Sequence, residues 1–239
     1  MTIDFVYIEN NLRYHTLKKF VSKKNSVYLV EYKGEKLVAK VFKNSKHIFE
    51  FSLLNFLYSK DISIPKPFAL VNQTIFMEYI EGDTLMDLIN SNIPDKKKYL
   101  DGLSEFFFRI HQIKKRQMSL LKGDFCIKNF IYNSKIYGLD FEESTYGNSL
   151  IDIGGTIAQI LDSSPSFTEE KFYLSNYFLG TYLEKNQLDL HQLKSDLKHF
   201  IIDGLLFDAS FRPAQREEIE KWSIKIRKNF DQIFYKEFQ

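Results

Sequence analysis

The segment KGDFCIKNFIYNSKIYGLDFEEST, residues 122–145, carries the most specific pattern in this chain of 239 residues. Asp124 is followed five residues later by Asn129, and Asp140 comes eleven residues after Asn129. The apolar stretches on either side of a turn-like segment, 133–135, predict a strand, a turn and a second strand. We expect this hairpin to bring Asp140 back beside Asn129, with Asp124 facing both. Two oxygen ligands and one further carboxylate suit Mg²⁺-assisted phosphoryl transfer.

Taken singly, Asp and Asn at loop positions are explained by turns and helix caps. Their joint spacing resembles the catalytic and metal-binding loops of the protein-kinase-like superfamily, most closely the aminoglycoside phosphotransferase and choline kinase branch. That branch reads H-G-D-x-x-x-x-N, followed by D-F-E or D-F-G. Gly123-Asp124 and Asp140-Phe141-Glu142 match these patterns, whereas Lys122 stands where the branch has His.

The resemblance implies a role for each of these polar residues. Asp124 would be the catalytic base, and Asn129 and Asp140 would hold Mg²⁺. If the chain were instead a protein kinase, Lys128, four residues after Asp124, could contact the transferred phosphate.

A lysine that anchors ATP is expected upstream, on a strand. Residues 27–32, a Lys33-Gly34 turn and residues 35–42 read as a β-hairpin. Its second strand contains Leu37-Val38-Ala39-Lys40-Val41, which resembles the V-A-I-K strand of kinases. The resemblance places Lys40 on the α- and β-phosphates, although a surface lysine on a strand would explain this residue when it is taken alone.

Glu50 lies in a segment whose apolar residues recur at helical spacing. We expect Glu50 to be the ion-pair partner of Lys40. A solvated carboxylate on the helix surface is the competing interpretation.

The segment 74–82 is an apolar strand that runs into a short acidic link ending at Gly82. By resemblance it is the hinge between two lobes, where the Glu78 carbonyl and the Ile80 N–H would bind adenine. An ordinary exit from a strand is equally compatible with this sequence.

A glycine-rich phosphate loop is missing, because Gly34 is the only glycine before Gly82. The equivalent turn is Ser22-Lys23-Lys24-Asn25-Ser26. It can cover a nucleotide, since Asn tolerates left-handed backbone conformations and two lysines are at hand, or it can be a solvated basic turn.

These features predict an α+β, bilobal protein-kinase-like fold, with a small β-rich N-lobe at 1–80 and a larger helical C-lobe at 81–239. An apolar stripe after Pro94 predicts a helix ending at His111, which we expect to be structural. By resemblance, Asp152 would accept backbone N–H bonds from the catalytic loop and start the next helix. Three further helices are predicted at about 168–184, 189–209 and 213–235.

The sequence favours a cytoplasmic protein. The N-terminus, MTIDFVYIEN, lacks the basic and then apolar order of a signal peptide, and no apolar run reaches membrane-spanning length. Cys126 is the sole cysteine, so disulfides within the chain are excluded, and we expect it to be a small buried thiol rather than a nucleophile.

Charge gives the one indication of the phosphate acceptor. Residues 141–239 carry 16 acidic and 11 basic side chains, although the whole chain has a net charge of +2. This asymmetry suits a cationic small molecule, to which Glu142, Glu143, Asp203 and Asp208 would contribute, but solvated helix faces explain the same counts. A nucleic-acid partner is not expected, because no basic stripe with interleaved aromatics appears.

The sequence therefore predicts a kinase that uses ATP and Mg²⁺ to phosphorylate a hydroxyl of a small molecule, for which an aminoglycoside-like or choline-like cation is the expectation. Two alternatives stay open. One is a Ser/Thr or Tyr protein kinase, and the other is a pseudokinase that binds nucleotide without turnover, which Lys122 and the glycine-poor loop support. Nothing in the sequence fixes the oligomeric state.

Overall fold

Lys33 and Gly34 close the predicted hairpin with φ angles of 52° and 82°. A two-residue type I′ turn needs positive φ at both positions, and it matches the right-handed twist of the flanking strands. In the computed structural model, which describes residues 14–234, the paired strands are Ser26–Tyr32 and Glu35–Val41.

The chain divides into two units. One comprises the described residues up to Glu81 together with Tyr137–Glu142, and the other comprises Gly82–Ile136 and the described residues from Glu143 onward. The division into domains at 1–80 and 81–239 stays a prediction, and residues 1–13 lie outside the described part of the chain.

The first unit contains an antiparallel five-stranded sheet in the order β1-β2-β3-β5-β4. Its strands are His15–Phe20 (β1), Ser26–Tyr32 (β2), Glu35–Val41 (β3), Pro67–Val71 (β4) and Thr74–Glu78 (β5). Val30, Leu37, Ala39 and Phe76 form the apolar core on one face. Because side chains alternate along a strand, Lys40 points to the face opposite Ala39.

The helix Lys46–Ser59 (α1) follows β3, as the helical spacing predicted. Its buried residues are Glu50, Leu54 and Leu57, and it packs against β4 and β5. A carboxylate on the buried side of a helix needs a charged partner or hydrogen-bond donors. The buried face of α1 that carries Glu50 is therefore the face on which a functional site is expected.

The second unit is mainly helical. Its helices are Leu85–Asn90 (α2), Lys97–His111 (α3), Leu150–Asp162 (α4), Glu169–Asn186 (α5), Leu190–Phe211 (α6) and Arg216–Phe234 (α7). The predicted helix ending at His111 and the three C-terminal helices are confirmed within a few residues, and residue 235 lies outside the described chain. The helix α4 packs closely on α6, where a Cβ on Gly154 would lie 2.6 Å from Cβ of Phe200.

Short strands lie between residues 83 and 147. They are Asp83–Thr84 (β6), Lys114–Lys115 (β7), Met118–Leu121 (β8), Phe130–Asn133 (β9), Lys135–Gly138 (β10) and Thr145–Gly147 (β11). The strand β9 pairs with β6, and β8 pairs with β7 and β11. The predicted hairpin is formed by β9 and β10, with Ser134 at φ 58° between them.

Candidate active site

Lys40 of β3 is held between two carboxylates of the first unit. Its Nζ atom lies 2.6 Å from Oε2 of Glu50 and 2.7 Å from Oδ1 of Asp140. The predicted ion pair between Lys40 and Glu50 is thus confirmed. Asp140, which the sequence analysis assigned to the metal, belongs to the same cluster of charges.

The cluster keeps the lysine charged. Burial alone would lower the pKa of Lys40, but the Glu50 and Asp140 carboxylates outweigh burial and raise it. Burial raises the pKa of Glu50, which Lys40 opposes. The second oxygen of Glu50 accepts a hydrogen bond from the backbone N–H of Phe141 at 3.2 Å, so Glu50 fixes both Lys40 and the segment that follows Asp140.

Asp140 has a backbone φ of 60°, in the left-handed region. This conformation is disfavoured for residues with a Cβ, although Asp and Asn adopt it more readily than most. Strain of this kind is typical of functional sites, where the surrounding structure imposes it. The hydrogen bonds of Phe141 and Lys40 supply that constraint.

Asp124 and Asn129 lie together in the second unit, as predicted. One carboxylate oxygen of Asp124 accepts a hydrogen bond from Nδ2 of Asn129 at 3.0 Å, and the other accepts one from the backbone N–H of Cys126 at 3.0 Å. A single 3-10 turn, Ile127–Asn129, produces this return of the chain. The approach of Asp140 to Asn129 stays a prediction, since the two residues belong to different units.

Lys122 is fully buried, although it is a charged residue. Its Nζ atom donates a hydrogen bond to the backbone oxygen of Asp124 at 2.5 Å and lies 5.2 Å from the centroid of the Phe130 ring. A buried ammonium group requires such acceptors and ring faces. Where the resembling branch has His, this chain therefore has a lysine that holds the backbone at Asp124.

Asp152, near the start of α4, forms hydrogen bonds with the segment that begins at Lys122. It accepts hydrogen bonds from the backbone N–H groups of Lys122 at 2.6 Å and Gly123 at 3.1 Å, as predicted. His111 Nε2 lies 3.2 Å from the same carboxylate, and His111 Nδ1 lies 2.9 Å from the Tyr182 hydroxyl. His111 is buried and structural, as expected.

Of the two predicted hinge residues, Glu78 is the last residue of β5 and Ile80 follows the strand. Glu78 exchanges backbone and side-chain contacts with Lys66: its N–H donates to the Lys66 oxygen at 2.9 Å, and its Oε2 accepts from the Lys66 N–H at 3.1 Å. Ile80 is buried just beyond the strand. Their contact with adenine stays a prediction, as does the phosphate contact of Lys128, which is exposed on the 3-10 turn.

Asp203 and Asp208, two of the acidic residues that the charge count singled out, differ in their burial. Asp208 is buried and accepts a hydrogen bond from Gln159, whereas Asp203 on the same helix is exposed and lies 3.0 Å from His199. Burial raises the pKa of Asp208, and the charge of Asp124 contributes to this shift. Within this set, the surroundings of Asp208 thus include the charge of Asp124.

Cys126 is half-buried and has no disulfide partner. Burial raises the pKa of its thiol, and the nearby Asp124 and Asp208 carboxylates act in the same direction. A thiol that stays protonated is a poor nucleophile. Cys126 is thus less buried than we expected, while the raised pKa of its thiol agrees with the expectation that it is not a nucleophile.

The residues of the first unit fit a magnesium ion by their chemistry. Carboxylate oxygens of Glu50, Asp140 and Glu142 all lie within 4.8 Å of one another, and Mg²⁺ prefers oxygen ligands. The Asp140 side chain is 34% exposed, so a hydrated ion can reach it, whereas Glu50 is 1% exposed and bonded to Lys40. Asp140 is thus the carboxylate of this group best placed to hold a metal.

Sequence reasoning missed two parts of this arrangement. Tyr182 supports His111 from 71 residues away, and Asn25 contacts Glu142 across 117 residues. Neither residue lies in a recognisable motif. Only the Asn in the glycine-poor turn gave a signal, because that turn occupies the position of a phosphate loop.

The sequence matches the model of a protein family and the sequence of a curated relative. The model of the RIO domain family matches residues 6–147. The chain is also 31% identical over 110 residues to the EKC/KEOPS complex subunit BUD32 of Encephalitozoon cuniculi (strain GB-M1). That alignment covers 46% of this chain and 52% of the relative, so it spans about half the length of the curated protein.

Solved structures share the fold at low sequence identity. An aminoglycoside phosphotransferase, APH(2″)-Ib bound to ADP, superposes with a TM-score of 0.59, 15% identity and coverage of 84% of either chain. An ethanolamine kinase from Plasmodium vivax gives a TM-score of 0.61 with 14% identity, covering 82% of this chain and 73% of the other. The predicted α+β protein-kinase-like fold is confirmed.

The matches support the protein-kinase-like part of the family prediction, and they do not confirm the aminoglycoside phosphotransferase branch. Likeness to phosphotransferases that act on small molecules is one of fold, since the identities are low, whereas the sequence match is to RIO domains. Across residues 14–234, no helix is both long enough and apolar enough to span a membrane. With its family model covering more than half of the sequence, this chain belongs to the RIO domain family.

Proposed function

We propose that this chain is a phosphotransferase that moves the γ-phosphate of ATP to a hydroxyl group. The observation that carries the proposal is the buried lysine held at 2.6 Å and 2.7 Å by Glu50 and Asp140. A structural ion pair needs one carboxylate, whereas a second, partly exposed carboxylate beside the lysine is what a nucleotide with its metal would use. The kinase-like fold supports the same conclusion.

Each residue of the site has a role in this proposal. Lys40 binds the α- and β-phosphates, and Glu50 keeps its amine in place. Asp140 and the amide oxygen of Asn129 hold Mg²⁺, since the Asn129 nitrogen is engaged by Asp124. When bound, the metal neutralises charge on the transferring phosphate. The adenine contacts are the Glu78 carbonyl and the Ile80 N–H, and Lys128 contacts the transferred phosphate.

Asp124 is the base in the proposed reaction. Its two oxygens are oriented by Cys126 and Asn129, which limits the rotation of the carboxylate. The acceptor oxygen attacks the γ-phosphorus as the bond to the ADP oxygen breaks, and the hydroxyl proton passes to Asp124. Positioning of this kind supplies most of the catalysis in phosphoryl transfer.

For the acceptor we propose a small cationic molecule, such as an amino alcohol or an aminoglycoside. The observation that supports it is the acidic balance of residues 141–239. No nucleic acid or membrane is expected to take part.

A protein kinase is the second candidate, because the sequence match is with RIO domains rather than with small-molecule kinases. The relative is named as a subunit of a complex, so a protein partner for this chain is a further proposal. In the pseudokinase alternative, Lys122 locks the loop and nucleotide binds without turnover.

One acceptor screen separates these functions. Purified chain is incubated with ATP and Mg²⁺ and with choline, ethanolamine, an aminoglycoside, a neutral sugar or a protein substrate such as casein, while ADP release is measured. Lys40→Met and Asp124→Asn serve as controls. We expect acceptor-dependent ADP release with a cationic acceptor. Release with casein alone selects the protein kinase, and ATP binding without any release selects the pseudokinase.

A further inference from the structure

A contact that the sequence does not predict holds the turn between β1 and β2 in place. Asn25 is only 4% exposed, and its Nδ2 atom donates a hydrogen bond to Oε2 of Glu142 at 2.8 Å. Both residues belong to the first unit. A loop that lacks glycine is therefore fixed through one buried side chain.

Glu142 is engaged by this loop through both of its oxygens. Oε1 lies 3.6 Å from Nζ of Lys24, the neighbour of Asn25, and the carboxylate itself is buried. A buried carboxylate is stable only with such partners. The loop thus neutralises Glu142, and Glu142 in turn sets where Asn25 and Lys24 lie.

Glu142 also connects the loop to the charged cluster around Lys40. One of its oxygens lies within 4.8 Å of oxygens of Glu50 and Asp140, which are the two partners of Lys40. The loop therefore ends beside the groups that we assign to the phosphates and to the metal. Displacement of Asn25 would move Lys24 away from that cluster.

The Asn25 amide has one atom left over. Its Oδ1 atom is buried and has no hydrogen-bond partner within residues 14–234. Buried polar atoms in native structures are nearly always bonded, so an orphan acceptor beside a cluster of charges suits a donor that arrives with a ligand. A hydrated metal ion bound with a nucleotide brings such donors.

We propose that Glu142 is a positioning residue that holds the loop of residues 21–25, through Asn25, in the conformation that accepts a nucleotide. The inference rests on the proposed binding of ATP, and it assigns Glu142 a role that is separate from the metal ligand and the base. Where other kinases use flexible glycines, this chain uses a preformed loop fixed by an amide–carboxylate pair.

The test is a set of variants that separates the hydrogen bond from the local charge. Asn25→Leu removes the hydrogen bond without changing charge. Asn25→Asp sets two carboxylates against each other. Asn25→Asp combined with Glu142→Gln restores an amide–carboxylate pair with reversed polarity and the original charge.

The first readout is the affinity for ATP with Mg²⁺, measured by calorimetry beside KM and kcat. We expect Asn25→Leu and Asn25→Asp to weaken ATP binding about tenfold or more, as for loss of a hydrogen bond to a charged group. KM for ATP should rise more than kcat falls. The double variant should regain most of the affinity.

The second readout needs no nucleotide. Trypsin cleavage after Lys23 and Lys24, followed by mass spectrometry, reports release of the loop, and cleavage at the exposed Lys33 turn is the internal control. We expect faster cleavage at Lys23 and Lys24 in both single variants and a wild-type rate in the double variant.

The outcomes distinguish this inference from the proposed function. Wild-type ATP affinity and loop cleavage in Asn25→Leu, or a double variant no better than Asn25→Asp, would overturn the role of Glu142. Absence of turnover in the wild-type chain would instead overturn the phosphotransferase, and the affinity and cleavage results would still decide the role of Glu142.

Discussion

Oδ2 of Asp152 lies 2.6 Å from the backbone nitrogen of Lys122, so the first turn of α4 holds the segment that begins at Lys122. The other oxygen of Asp152 accepts from Gly123, and His111 contacts the same carboxylate. Because Asp152 and Lys122 are fully buried, removal of the carboxylate leaves the Lys122 N–H without its acceptor.

Asp152→Ala should therefore lower the free energy of unfolding by about 2–3 kcal/mol, since it leaves buried donors without an acceptor. Urea unfolding followed by the fluorescence of Trp222 measures this change. Asp203→Ala, which removes an exposed carboxylate, is the matched control and should change stability by no more than about 0.5 kcal/mol. Equal effects of the two variants would show that Asp152 is not the anchor of the loop.

Gly123 and Gly34 offer a second comparison, because their φ angles are 81° and 82°. A Cβ on Gly123 would lie 2.1 Å from the Glu143 oxygen, whereas a Cβ on Gly34 would meet nothing within 4 Å. Gly34→Ala should cost about 1–2 kcal/mol, the usual penalty for a left-handed residue with a Cβ. Gly123→Ala should cost clearly more, as measured by urea unfolding with far-UV circular dichroism. Equal losses would mean that the loop backbone yields easily.

Local patterns predicted much of this protein. The Lys33-Gly34 turn, the helix carrying Glu50 and the 122–145 hairpin were all readable, because turn chemistry and helical spacing act over a few residues. The contact of Asp152 with the catalytic loop followed from resemblance.

Contacts between residues that are far apart in the sequence could not be predicted from it. No sequence pattern near His111 predicts its contact with Tyr182. The burial of Asn25 against Glu142 depends on how β1, β2 and the segment 140–142 pack. Lys122 looked like a defect in the motif, whereas its burial and its bond to the Asp124 backbone give it a structural role. Charge counting also grouped Asp203 with Asp208, although one is exposed and the other buried.

Asp162 gives the stability a dependence on pH. Burial raises its pKa to about 8, and the neighbouring Asp208 acts in the same direction while Arg212 opposes it. The folded state therefore holds a proton that the unfolded chain releases near pH 4, so stability falls as the pH rises from about 4 to 8. Asp162→Asn should flatten this fall.

Urea unfolding at pH 5, 6, 7 and 7.5 tests the effect of Asp162. Because Asp162 and Asp208 influence each other's titration, the difference between wild type and variant reports the contribution of this pair. A wild-type slope that persists unchanged in Asp162→Asn would assign the pH dependence to another residue.

The proposed cationic acceptor makes a prediction about salt. If exposed carboxylates attract it, its KM should rise as ionic strength increases from low values to 0.15 M, where charges are screened over about 8 Å. A neutral sugar, used as the control acceptor, should show no such rise. A KM that does not change with salt for the preferred acceptor would remove the cationic assignment and leave the phosphotransferase in place.

In the proposed reaction Lys40 binds the nucleotide and Asp124 serves the acceptor, and a paired measurement on two variants separates these roles. Calorimetry gives the affinity for ATP with Mg²⁺, and ADP release gives kcat, for wild type, Lys40→Met and Asp124→Asn. We expect Asp124→Asn to keep ATP affinity near wild type and to lower kcat on the order of 10²–10⁴-fold, the contribution of a general base. Lys40→Met should lose ATP affinity. If Asp124→Asn loses affinity and turnover together, or if Lys40→Met binds ATP as wild type does, the account is contradicted.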